Sequence, residues 1–326
     1  MKIAVVGTGS AGRHHLEALR QLDDVEPIAV PIRHTRMAEL EAEGYRTAPS
    51  IQMASSLGAE AAIIATDTGR HFQDAITALE EGMDILVEKP MSVDSMEAHR
   101  LCQRASNLHR ETYIGYVLRF SDSLNTFRRL LNELGQIHFV RLECQSYLPD
   151  WRPNRPYEDT YSARAHEGGV LRDLVHEIDY AGWLFGWPLN VQARLENTGR
   201  LGIDAEELAA LIWDSPAGCL VSVSLDYLST PPRRLMTAFG EGGSMSWDGI
   251  AGTVSLARVG APVEELKHHQ SADQLFCSQA YAFTNAMLGV RDPHLASGSD
   301  GVKAMAVCDA ARQASEKRIE QTVVYP

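Results

Sequence analysis

The sequence predicts an α/β chain of two domains. A doubly wound parallel sheet is expected over residues 1–118, then an α+β domain with a large, mostly antiparallel open sheet over 119–326. Three observations predict this. Short apolar runs alternate with amphipathic stretches through the first third of the chain, the pattern of βαβ units. Near residue 120 the texture changes to alternating strand-like runs separated by Pro and Gly turns, the pattern of an antiparallel sheet. The 326 residues also suffice for two domains of ordinary size, each with its own core.

The elements follow in order. Ile3–Val6, Pro27–Ile32, Ala61–Ala65, Ile85–Val87 and Thr112–Tyr116 read as strands, and Ala11–Leu22 as the first helix. A helix over Ser123–Glu133 leads to a strand at Ile137–Gln145, a Pro/Trp/Tyr-rich loop from Leu148 to Ala165, and one helix over Gly169–Phe185. Strands are expected at Leu208–Trp213, Cys219–Tyr227, Leu235–Phe239 and Ser244–Trp247, and closing helices near Gln274–Leu288 and Gly301–Lys317.

Composition narrows the partners. A formal net charge of -13 without any Lys/Arg block argues against nucleic acid or an anionic membrane surface. No apolar run reaches the length of a membrane span, and no cleavable signal precedes the first strand. The five cysteines (102, 144, 219, 277 and 308) are scattered without CxxC spacing, as expected of reduced thiols in a cytoplasmic protein. Adjacent histidines such as His14-His15 point about 100° apart on a helix and are poor chelators, so no metal is expected. Asp204, Glu206 and Glu207 read as a solvated strand entry.

The sharpest motif is Gly7-Thr8-Gly9-Ser10-Ala11-Gly12, a G-x-G-x-x-G directly after a strand and opening a helix. Gly7 permits the tight turn, Gly9 lets a pyrophosphate approach the backbone, and Gly12 lets helix and strand pack closely. The phosphates then meet the positive helix N-terminus. Alone the motif is only a Gly-rich turn; its place in a βαβ unit makes it a dinucleotide fingerprint of the Rossmann type. An NAD-selective site commonly has an acid at the end of the second strand. Here that strand runs into Pro31-Ile32-Arg33-His34, so Arg33 and His34 are expected at the ribose, favouring NADP over NAD. The alternative is that Arg33 and Arg36 merely begin a solvated helix.

Three further segments carry chemistry. Thr66-Asp67-Thr68-Gly69-Arg70-His71 follows one strand, Glu88-Lys89-Pro90 ends another, and Gly168-Gly169-Val170-Leu171-Arg172-Asp173-Leu174-Val175-His176-Glu177-Ile178-Asp179-Tyr180 opens a helix. With these, Gly115-Tyr116, Arg119-Phe120 and Asp300-Gly301, the chain resembles the glucose-fructose oxidoreductase/inositol dehydrogenase/rhizopine catabolism (Gfo/Idh/MocA) family over nearly its whole length. The resemblance implies hydride transfer between NAD(P) and a hydroxyl or keto carbon of a sugar, sugar derivative or cyclitol. It implies a catalytic Lys89, a Pro90 that follows a cis peptide near the nicotinamide, and Asp173 and His176 as the family's helix Asp and His. In many members that Asp and His are four residues apart; here they are three, which turns Asp173 about 100° around the helix from the family position. Thr66, Asp67, His71, Glu88, Lys89, Pro90 and Arg119 are expected to line the cofactor.

The residue chemistry runs parallel. Lys89 falls at the carboxyl end of a parallel strand, where open α/β sheets bind ligands. On a helix Asp173, His176 and Tyr180 share one face opposite an apolar stripe, although such a polar stripe is also what a solvated surface looks like. His176 suits a general base at neutral pH, and Lys89 would stabilise charge developing on the substrate oxygen. Asp173 would orient the imidazole or bind a second hydroxyl.

On the substrate side Tyr116, Trp151, Arg152, Tyr157, Tyr161, Arg164 and Arg233 offer aromatic faces and cations that suit a sugar ring, including one bearing carboxylate or phosphate. The alternative is a loop whose aromatics only pack on the domain. The combination looks like family members of nonulosonic-acid or other surface-sugar pathways. Competing readings are a non-catalytic NAD(P) sensor, or an enzyme that recycles a tightly held cofactor in a net isomerisation, lyase step or glycosidic cleavage. An open sheet invites face-to-face pairing, so a homodimer or homotetramer is expected.

Overall fold

The short apolar runs of the N-terminal part pair as parallel strands: β1 (Lys2–Val6), β2 (Glu26–Val30), β3 (Arg46–Thr47), β4 (Ala61–Ile64), β5 (Asp84–Val87) and β6 (Thr112–Ile114). A computed structural model of the chain describes residues 1–152 and 155–326, with the side chain of His34 outside that description. The sheet order is β6-β5-β4-β1-β2-β3, and the two-residue strand Ala296–Ser297 adds an antiparallel edge beside β6. The order reverses between β1 and β4, so the carboxyl ends of those two strands form the topological switch point of a doubly wound sheet. Helices α1 (Ser10–Arg20), α2 (Met37–Ala42), α3 (Ile51–Ser56), α4 (Thr68–Glu80) and α5 (Ser95–Asn107) make the crossovers.

β4 is buried at every position, and β1 and β5 at all but their first, as expected of strands covered on both faces. The helix Ala272–Met287 belongs to this same unit, which comprises Met1–Phe120 and Ser271–Val302. It lies on α1, where Phe276 stacks on His14 and meets His15 edge-on, both at 4.9 Å. The return of residues 271–302 departs from the expected division at 118. No local pattern announces it, because the docking is through apolar side chains that suit any core.

The second unit, Ser121–Gln270 with Lys303–Pro326, is built on a larger sheet. Its strands are β7 (Ile137–Gln145), β8 (Asn190–Glu196), β9 (Leu208–Asp214), β10 (Leu220–Asp226), β11 (Arg233–Gly240), β12 (Gly243–Asp248), β13 (Thr253–Arg258) and β14 (Glu264–Lys267). They lie in the order β14-β13-β12-β11-β7-β10-β9-β8, with Gln321–Thr322 outside β8. Among the described residues only β7 and β10 pair in parallel, and every other ladder of this sheet is antiparallel. Helix α6 (Asp122–Leu130) is capped by Ser121, whose hydroxyl accepts from Leu124 N. The fully buried Trp247 of β12 donates its indole N–H to Ser123 Oγ at 2.8 Å. Among the described residues no helix is long and apolar enough to cross a membrane.

One expected element is different. The helix read over Gly169–Phe185 is two helices, α7 (Val170–Asp173) and α8 (His176–Phe185), separated at Leu174-Val175. Val175 N donates to Arg172 O and Glu177 N to Leu174 O, both at 3.3 Å, so the join is a tighter three-residue turn. Asp173 and His176 therefore do not share a helix face by the spacing of a continuous helix. The stripe is also not solvated: Asp173, His176, Glu177, Asp179 and Tyr180 are all buried.

Candidate active site

The cofactor turn is built at the switch point. Gly7 takes φ +87°, and a Cβ there would come within 2.5 Å of Ala65 O at the end of β4. Gly7 N donates to Val30 O at 2.9 Å, tying the turn to β2. A Cβ at Gly12 would lie 1.9 Å from Gly7 O, so only glycine lets α1 start this close to β1. Gly9 is different: it is exposed, it has negative φ, and a Cβ there would meet no protein atom within 4 Å. The chain itself does not need glycine at this position, which fits a backbone kept bare for a ligand. Gly9 is also the N-cap of α1 and offers no side-chain cap, leaving the first-turn N–H groups to an external acceptor. These residues fit the pyrophosphate of a dinucleotide.

The second strand stops at Val30, two residues short of the expected end. Arg33 is exposed and joins no ion pair among the described residues, whereas Arg36 reaches Glu39 at 3.3 Å. The expected ribose contact of His34 rests on a side chain outside the description.

Several residues expected to line the cofactor have partners within the protein. His71 is buried, its Nδ1 2.8 Å from Pro90 O and its Nε2 2.9 Å from Thr66 O. A neutral ring donates to only one of these at a time. Burial nevertheless outweighs both bonds and holds the His71 pKa below its ordinary value. Thr66 donates its hydroxyl to Asp74, which also takes a two-point bond from Arg70. Arg119 is buried beside Tyr116 and donates to Asp300 Oδ2 at 3.3 Å. Asp67 stands at the N-cap of α4.

Glu88, also expected at the cofactor, has protein partners on both carboxylate oxygens. It is buried, with Oε1 2.7 Å from His15 Nε2 and Oε2 accepting the Lys89 amide N–H at 3.1 Å. A Cβ on Gly115 would come within 2.9–3.1 Å of the carboxyl group, so glycine at 115 makes room for it. Burial pushes Glu88 up, but the bond to His15 and the nearby positive groups outweigh it and leave its pKa below the ordinary value. The Lys89–Pro90 peptide is cis, as the resemblance implies. His15 was not among the expected site residues. Its partner lies 73 residues away, and the only local signal is its position three residues after Gly12.

In the second unit the structure gathers an aromatic wall. Asp173 Oδ2 accepts the Tyr227 hydroxyl at 2.6 Å, and Trp151 meets the Tyr227 ring edge-on at 5.4 Å. The Arg152 guanidinium lies 5.6 Å from the Tyr161 ring, and the Tyr161 phenol lies within the electrostatic reach of Asp173. Burial first, then the charge of Asp173, push both phenols above their ordinary pKa, so both remain donors. Trp151, Arg152, Tyr161 and Asp173 were expected at the substrate; Tyr227, which joins them, was not.

Next to His176, the fully buried Glu177 accepts from Arg234 Nε at 2.7 Å and from Tyr180 at 3.1 Å. Burial alone would lower the Arg234 pKa; the carboxylate of Glu177 holds it up instead. Arg233, expected at the substrate, is exposed, while its half-buried neighbour Arg234 is the one that pairs with Glu177. Tyr157 gives its hydroxyl to Leu201 O at 2.9 Å and Arg164 pairs with Glu167 at 2.6 Å, so both brace the loop. Pro153 and Asn154 of that loop lie outside the described residues.

Glu206 and Glu207, expected in a solvated strand entry, are buried anchors. Glu206 takes two bonds from Arg312, at 3.1 and 2.6 Å, while Glu207 gathers Thr198, Arg200 and Leu201.

Comparison with known proteins places this arrangement. The family model for the oxidoreductase family with NAD-binding Rossmann fold (GFO_IDH_MocA) matches residues 1–116, and the GFO/IDH/MocA C-terminal domain matches residues 126–246. The chain belongs to the Gfo/Idh/MocA family. The rhizopine catabolism protein MocA of Rhizobium meliloti is 28% identical, over 96% of this chain and 94% of its own length. Inositol 2-dehydrogenase of Leifsonia xyli is 29% identical over 58% of this chain, a match that spans 55% of the relative. The solved structure of UDP-N-acetylglucosamine 3-dehydrogenase from Acidithiobacillus ferrooxidans superposes with a TM-score of 0.81 at 22% identity, over 97% of this chain and 98% of that one. Within the Gfo/Idh/MocA fold the parallel sheet is the Rossmann part, and the mostly antiparallel sheet is the C-terminal domain.

Proposed function

We propose that this chain is an NAD(P)-dependent dehydrogenase acting on a hydroxyl or keto carbon of a sugar, sugar derivative or cyclitol, with Lys89 and His176 as the proton-handling pair. The observation that carries the reading is the bare, uncapped start of α1 at Gly9, beside β strands whose turn glycines are sterically required. Family membership and relatives named as dehydrogenases of cyclitols and sugar nucleotides support the substrate class.

Gly7, Thr8, Gly9, Ser10, Ala11 and Gly12 would hold the pyrophosphate through backbone N–H groups. Arg33, exposed and outside any ion pair among the described residues, would hold a ribose 2′-phosphate, so NADP is favoured. A bound dinucleotide supplies hydride chemistry; the protein supplies placement and proton handling. His176 takes the proton of the substrate hydroxyl, and the Lys89 ammonium donates a hydrogen bond to the same oxygen as charge develops on it. Asp173 lies among Tyr227, Tyr161 and the neighbouring Arg152, which favours a role in binding a second hydroxyl over orienting the imidazole.

The test is absorbance at the reduced-nicotinamide band across a panel of sugars, cyclitols and nucleotide sugars, with NAD and NADP compared. Lys89→Ala should lower kcat by about 10²–10⁴-fold. Unchanged turnover in that variant would sink the assignment of Lys89. Tighter binding of NAD than NADP, unmoved by Arg33→Ala, would sink the cofactor preference.

A further inference from the structure

The segment Glu88-Lys89-Pro90 is gripped on both sides of its lysine by a buried histidine. Before the lysine, His15 Nε2 bonds Glu88 Oε1 at 2.7 Å while the other oxygen of Glu88 accepts the Lys89 amide N–H at 3.1 Å. After it, His71 Nδ1 bonds Pro90 O at 2.8 Å. All four partners are in one compact unit, and His15, His71 and Glu88 are each at least nine-tenths buried.

The burial decides how strong the His15 grip is. A carboxylate withdrawn from water must have partners, and Glu88 has two: the His15 ring and the Lys89 backbone. Gly115 leaves the carboxyl group the room it occupies, and Phe276 packs edge-on against the imidazole. Remove the imidazole, and the carboxylate must turn to find another donor, which releases the Lys89 amide. His15 also lies on α1 about one and a half turns from its exposed start, so the helix proposed to receive the pyrophosphate is tied directly to the lysine turn.

We infer that His15 and His71 are positioning residues: they act through Glu88 and Pro90 to hold Lys89 in register with the glycine turn of α1. The inference rests on the reading of Lys89 as the proton-handling lysine and explains what fixes that side chain's backbone.

The experiment compares His15→Leu, which removes the donor, with His15→Gln, whose amide nitrogen can stand where Nε2 stands. Amide hydrogen exchange of Lys89, followed by NMR in the full chain without ligand, needs no substrate. It should speed up by about tenfold or more in His15→Leu, with Val5 and Leu86 unchanged, and stay near wild type in His15→Gln. Against the substrate found in the panel, His15→Leu should lower kcat by about tenfold with KM for the dinucleotide within about twofold. Adding His15→Leu to Lys89→Ala should cost nothing further.

An unchanged Lys89 exchange rate in His15→Leu, or losses that add in the double variant, overturns the inference. If His15→Leu does not fold, His71→Gln read by the same exchange at Lys89 decides, with no acceleration counting against. A Lys89→Ala enzyme of full activity would instead overturn the functional reading, leaving the exchange result to stand on its own.

Discussion

Asp173 accepts the Tyr227 hydroxyl at 2.6 Å where only 1% of the aspartate is exposed, so that bond helps to set its orientation. Tyr227→Phe removes a single oxygen and leaves a buried carboxylate short of a donor. The expected cost is about 1–3 kcal/mol, read as a lower urea midpoint at unchanged slope. Substrate KM should rise more than kcat falls if Asp173 is the proposed substrate binder; a selective fall in kcat would return it to orienting His176. Side-chain partnerships of this kind are not legible in a sequence. Lys89 and His176 stand in recognisable patterns, but Tyr227, Arg234 and His15 acquire their roles from partners 54, 57 and 73 residues away.

At the scale of elements, the strand–turn–helix over residues 2–20 was readable because its rules are local: an apolar run, then glycines where sterics demand them. Gly9 and Gly12 nevertheless separate two demands that the motif merges. Gly9→Ala places a methyl in open space and should leave stability within about 0.5 kcal/mol while weakening dinucleotide binding, a split read by thermal unfolding beside a binding titration. Gly12→Ala drives a methyl to 1.9 Å from Gly7 O and should lower stability before any ligand is added.

The break between α7 and α8 was not readable. Leu174 and Val175 carry no breaker, and the turn is imposed from outside: Tyr227 holds Asp173 on one side of it and Arg234 holds Glu177 on the other. The start of α7 is pinned similarly, with Leu171 N donating to Glu206 and Gly169 at φ +92° only 2.3 Å, by its missing Cβ, from that carboxylate. Gly169→Ala combines a glycine-only backbone with displacement of the Glu206–Arg312 pair, and should cost more than about 3 kcal/mol in chemical unfolding. The labelled strands that escaped the sequence, β3, β8, β13 and β14, are short or carry charged residues, and their pairing depends on a neighbour already being in place.

Across the whole molecule the buried ionisable groups give stability a direction in pH. His71 is held below its ordinary pKa of 6.5, with burial the largest cause, and Glu88 is held below 4.5 because its bond to His15 and nearby positive charge outweigh burial. For both groups the unfolded chain binds the proton at a higher pH than the folded one. Stability from each is therefore complete above the unfolded value and is lost as pH falls toward the folded value. The His71 contribution should start to fade as pH drops through 6.5, and the Glu88 contribution only below 4.5. Calorimetric unfolding of wild type and His71→Gln from pH 8 to 4 separates them. The variant is expected to be less stable at pH 8, since the Pro90 and Thr66 carbonyls lose a fitted partner. The gap should narrow as pH falls below 6.5, because only the wild type then forfeits the preference for a neutral buried ring. A gap that widens on acidification would mean that His71 is held charged by its two carbonyl partners. The grip on Pro90 would then be that of an imidazolium, and it would strengthen as the pH falls.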